Sequence, residues 1–165
     1  MTIAALFGLS ILMSFVAFGI VARIHVWPWL RVMPREDALI ALLTPHLFRF
    51  IGLSFLVPGV VSLSLPHAFA APAAYGDLAA AILAIIAVAA LARRAAFAIA
   101  IVWVFNVWGT IDLLTAIYQG QIGIGIAPGA LGAAFYIPTV LVPLLLVTHV
   151  LIFRLLLRPQ PPPQP

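Results

Sequence analysis

From Ile3 to Ala22 the chain carries no charged residue, and the first interruption is Arg23. A run of about 20 apolar residues matches the roughly 30 Å hydrocarbon layer of a bilayer at helical rise. The run begins directly after Met1 and Thr2, without the basic leader and small-residue cleavage site of a secretory signal, so it reads as a retained span. The rest of the chain repeats the pattern. Of its 165 residues, 65% are hydrophobic and 7% charged, more apolar surface than a water-soluble domain of this size can hide. The fold class this predicts is all-α, a polytopic membrane helical bundle.

Charges, prolines and glycines divide the chain into five expected transmembrane helices at about 3–22, 38–63, 78–92, 95–118 and 133–157, forming one domain over 1–158. The segment from Leu65 to Asp77 is rich in Pro, Ala, His and Gly and reads as a connection. Arg93-Arg94 reads as a hairpin, because one helix from Leu78 to Tyr118 would be about 60 Å long. The third span is then short, a mismatch met by local thinning of the bilayer and by arginines reaching back to the interface. The glycine-studded stretch 119–132 is expected to lie in the interface. Residues 159–165 are mostly proline and read as a disordered, polyproline-like cytoplasmic tail.

Basic residues near span ends collect on the cytoplasmic side. With five spans, Arg23, Arg31, Arg35, Arg93, Arg94, Arg154 and Arg158 all fall on one side, and Arg49 alone lies inside a span. The expected topology is therefore N-terminus outside and C-terminus cytoplasmic, in a membrane of the bacterial inner type. The formal charge of +4 follows from this arrangement and from lipid attraction, and nucleic acid is not an expected partner.

Much chemistry is excluded by residue type. There is no cysteine for a disulfide, thiolate metal site or iron–sulfur cluster, and no lysine for a Schiff base. No HExxH or GxSxG occurs. The run through Gly123, Gly125 and Gly129 lacks the strand and helix that a dinucleotide-binding turn needs. Connections of about a dozen residues are too short for a separate catalytic fold, so an enzyme acting on a soluble substrate is not expected.

What remains is a set of polar residues at membrane depth. Arg49 and Asn106 each lie 11 residues past the start of an expected span, and Asp112 lies about 9 Å further out. An Arg49–Asp112 pair bridged by Asn106 is expected, either as a proton or ion path or as a helix clasp. His46 and His149 come out at equal depth. They are candidate axial ligands for haem b or a metal, with neutral histidines bonded to backbone carbonyls as the alternative. Trp103, Trp108 and Tyr136 are candidates to line a cavity for an apolar ligand or quinone, or else to pack against lipid. His25 belongs to an interface belt with Trp27 and Trp29, and His67 to the outer connection. Small residues at Ser10 and Ser14, and at Ala80, Ala84 and Ala87, permit close helix approach within the bundle or in a homo-oligomer or larger membrane complex. Three functions follow as expectations: a transport or channel-like subunit for a small solute or protons, a haem- or quinone-binding redox subunit, and a structural or assembly subunit.

Overall fold

The structure is a computed structural model that describes residues 1–159; the tail expected to be disordered lies, from residue 160 onward, outside the described residues. Five helices are long and apolar enough to cross a membrane: α1 (Ile3–Leu30), α2 (Arg35–Leu56), α3 (His67–Ala92), α4 (Ala98–Gly123) and α5 (Ile137–Leu156). The described residues contain no β-strand.

The number of apolar helices matches the sequence reading, while their boundaries differ for identifiable reasons. Helix α1 is capped by Thr2, whose hydroxyl accepts from the Ala5 N–H at 3.2 Å. It runs past residue 22 to Leu30, so His25, Trp27 and Trp29 are helical. A π-turn at Ala22–Val26 absorbs the approach to Pro28, which lacks an N–H.

The expected loop before α3 is corrected: His67 begins a 26-residue helix, and Pro72 is accommodated inside it. The third span is therefore not short, and no thinning of the bilayer is needed. Similarly, α4 continues as a π-turn over Gln119–Gly123, a stretch expected to be interfacial. The hairpin at Arg93-Arg94 is present as a tight turn in which Arg94 has φ 51°.

Helix α2 departs most from expectation. It is α-helical over Arg35–Leu43 and then 3₁₀ over Thr44–Leu56, 13 residues. Pro45 stands at the changeover, where its ring and missing N–H break the α pattern, and the Thr44 hydroxyl donates back to the Ile40 carbonyl at 2.9 Å. At about 2.0 Å per residue a 3₁₀ helix covers the depth with fewer residues than an α-helix at about 1.5 Å. The span consequently ends at Leu56 and not at residue 63. A 3₁₀ helix also stacks every third side chain in one straight row. The buried residues of this segment are His46, Arg49, Gly52 and Phe55, a spacing of three that an α-helix would wind around its surface.

Helix α3 packs against both α2 and α4, and α5 packs against α1, α2 and α4. The close approach of α3 is made possible by alanine. Ala74, Ala80, Ala84 and Ala87 are fully buried, whereas Ser10 and Ser14 of α1 are only half-buried.

The core has two apolar clusters. One, around Leu39, Leu43, Leu91, Val102, Phe105 and Ile152, lies toward the end that carries the arginines. The other, around Phe7, Phe55, Phe69, Leu131 and Ile137, lies toward the opposite end. The first end is tied by Arg35 donating to the Leu156 carbonyl at 2.8 Å and by Arg154 over the Trp27 ring. At the second, the Ala133 N–H donates to the Val60 carbonyl at 2.8 Å. Between the two clusters lies a polar layer.

Candidate functional site

The row of every third residue on α2 aims Arg49 into the middle of the bundle, where its side chain is 0% exposed. Its Nε donates to Asp77 Oδ1 at 2.8 Å, and its Nη2 lies 2.8 Å from the same oxygen. Nη2 also donates to Asp112 Oδ2 at 2.5 Å. On the other side Nη1 donates to the Gly109 carbonyl at 3.2 Å and faces His149 Nε2 at 3.4 Å. A guanidinium has five N–H donors in a rigid fork, and this one reaches α3, α4 and α5 at once.

The structure brings Arg49 to Asp112, and Asn106 lies in the same layer but does not bridge them. Asn106 instead serves His149: Nδ1–H of the imidazole donates to Asn106 Oδ1 at 2.7 Å, and Asn106 Nδ2 donates to the His149 carbonyl at 3.3 Å. With Nδ1 donating, Nε2 of His149 is left to accept from Arg49. His46 lies next to it, ring centroids 4.3 Å apart. The Thr148 hydroxyl donates to the Leu145 carbonyl at 2.9 Å, so at 2.9 Å its oxygen accepts from His46 Nε2. Nδ1 of His46 is buried without a hydrogen-bond partner.

This geometry does not fit haem. Axial ligation needs a nitrogen of each ring aimed at one iron with a flat macrocycle between them. Here the rings touch, and three of their four nitrogens are committed to Thr148, Asn106 and Arg49. No group of three or more His, Cys, Asp or Glu side chains among the described residues could hold a metal ion.

A cavity of about 180 Å³ lies beside the carboxylates, with Asp77 and Asp112 on its wall and Phe7, Phe55, Phe69 and Leu113 around it. The aromatic trio expected to line a cavity does not line this one. Trp103 packs against Phe153 with ring centroids 5.8 Å apart, while Trp108 and Tyr136 are exposed on the outside of the bundle.

Residues 6–157 match the family described as Domain of unknown function (DUF8737). The chain belongs to this family. The DUF8737 match takes in most of all five helices and every residue of the polar layer. No curated protein and no solved structure matches the chain.

Four residues essential to the layer escape the sequence reading of this DUF8737 chain. Asp77 sits in a tract that looks like a loop. The signal that could have found it is the short third span itself, which reaches full length only if the helix extends backwards through Asp77. The other three are glycines. A β-carbon at Gly52 would meet the Asp77 side chain, one at Gly76 the Asp112 carboxylate, and one at Gly109 both His149 and Arg49. Each glycine vacates the space that a polar side chain from another helix occupies.

Proposed function

We propose that the protein is a small membrane transport protein in which the Arg49–Asp77–Asp112 triad holds one exchangeable positive charge. The observation that carries this reading is the charge count beside a cavity: one guanidinium is shared by two carboxylates, which line an apolar chamber. An unbalanced charge away from water is costly, and a single proton or monovalent cation entering from the chamber restores neutrality. Asp112 is the more open carboxylate, its side chain 15% exposed against 10% for Asp77, and is the entry point.

In this reading the membrane is of the bacterial inner type, with the arginine end cytoplasmic and the N-terminus outside. The chain has no native cysteine, so single cysteines at Thr2 and Arg158 can be labelled without background. A membrane-impermeant maleimide is expected to reach position 2 and not position 158 in intact cells, and labelling of both from one side contradicts the topology.

Function is tested in proteoliposomes carrying an internal pH dye under an imposed pH gradient. The parent protein is expected to dissipate the gradient faster than Asp112→Asn at equal incorporation. Equal rates in the two would end the transport reading.

The saturation of Arg49 favours a second reading, a structural or assembly subunit in which the triad is a helix clasp. In that case Asp112→Asn changes only abundance or stability.

A further inference from the structure

Between α1 and α5, toward the arginine end, the helices leave an open groove of about 680 Å³. Its walls are apolar: Phe15, Gly19 and Ala22 from α1, and Val147, Val150 and Leu151 from α5. The space is empty beside Gly19, where an added β-carbon would find no heavy atom within 4 Å. From Phe15 to Arg23 the slot runs about 12 Å along α1.

Its mouth has a different character. Arg23, Arg31 and Arg154 gather there with Trp27. All three arginines are exposed, and both ion pairs among the described residues belong to Arg49, so none of the three has a carboxylate partner among those residues. Arg154 lies over the Trp27 ring, 4.0 Å from its centroid. That stacking fixes the guanidinium plane at the groove while leaving its N–H edge free for oxygen acceptors. Tryptophan prefers the headgroup level of a bilayer, which sets the depth of this mouth.

An apolar slot ending in three unneutralised guanidinium groups has the outline of an anionic amphiphile. A free anion makes no use of the slot, and a zwitterionic lipid makes little use of the arginines. We infer that this groove is a binding site for an anionic phospholipid, with an acyl chain between α1 and α5 and the phosphate at Arg23, Arg31 and Arg154. The site is independent of the triad, and its occupancy bridges α1, whose apolar stretch is only 6% buried, to the rest of the bundle.

The test is native mass spectrometry of the purified full chain in neutral detergent, titrated with phosphatidylglycerol or phosphatidylcholine. The parent is expected to retain phosphatidylglycerol in preference to phosphatidylcholine. At about 1 kcal/mol per arginine, Arg23→Gln/Arg154→Gln should bind phosphatidylglycerol about thirty-fold more weakly.

Gly19→Leu fills the slot without altering charge and is expected to lose binding too. Arg93→Gln/Arg94→Gln, the same charge change at exposed positions outside the groove, is expected to leave binding unchanged. Equal retention of the two lipids, equal loss in the Arg93/Arg94 variant, no loss in Gly19→Leu, or displacement of the lipid by inorganic phosphate would each overturn the assignment.

Discussion

Arg49→Leu is expected to destabilise the folded bundle by about 3–5 kcal/mol, the cost of leaving a buried charge without its partner. The prediction rests on what surrounds the guanidinium. Asp77 is 7% exposed and has Arg49 as its ion-pair partner, and Asp112 is held by the same group. Removing it leaves two neighbouring carboxylates on the wall of an apolar chamber. Arg49→Lys should fall between, because a single ammonium cannot reach both carboxylates, the Gly109 carbonyl and His149 Nε2 together.

The complementary experiment removes all three charges, as Arg49→Leu/Asp77→Leu/Asp112→Leu. Apolar replacement of a complete buried ion pair is often neutral or stabilising, so this variant should recover most of what the single change loses. Heating in detergent, with the surviving monodisperse fraction as readout, measures both. A single variant as stable as the parent would mean that Arg49 does not hold the two carboxylates. The triple variant also separates the two functional readings: stability returns with it, while gradient dissipation does not if the triad moves charge.

The second large effect belongs to glycine. In an exposed helix Gly→Ala gains about 1 kcal/mol from backbone entropy, and Gly8 and Gly19, with no heavy atom within 4 Å of an added β-carbon, should show that gain or no change. Gly76 and Gly109 are helical as well, yet their β-carbons would fall on the Asp112 carboxylate and on the His149 ring and Arg49 Nη1. Gly76→Ala and Gly109→Ala are therefore expected to lose about 1–3 kcal/mol, the usual cost of overpacking a core.

The cause can be isolated with a double-mutant cycle. Gly76→Ala should cost much less in an Asp112→Ala background, because the atoms it strikes are gone. Equal cost in both backgrounds would place the strain elsewhere. A separate backbone constraint acts at Gly132, with φ 53° and the Val60 carbonyl oxygen where an added β-carbon would fall. That position joins the α2–α3 and α4–α5 connections and is independent of the polar layer.

Local composition alone set how many apolar segments there are, where the arginines gather, and which polar residues share a depth. It could do so because partitioning between water and hydrocarbon acts on each segment almost independently of its neighbours. Arg49, Asp112, His46, His149 and Asn106 could be named as candidates for the same reason, since a polar side chain at membrane depth must find partners.

Which partners they found was a tertiary matter. Asp77 joined Arg49 only because α3 runs backwards through Pro72 to His67, a continuation that packing against α2 and α4 supports against the local preference for a turn. Asn106 turned to His149 and not to Arg49 because the rotation of α5 placed the imidazole Nδ1 and its carbonyl within reach. The straight row of His46, Arg49 and Gly52 depended on 13 residues of 3₁₀ helix, a geometry whose weaker local bonds persist only where the surrounding contacts favour that alignment. Segment-by-segment transfer energies set what had to be buried, and the mutual fit of five helices set what each buried group would touch.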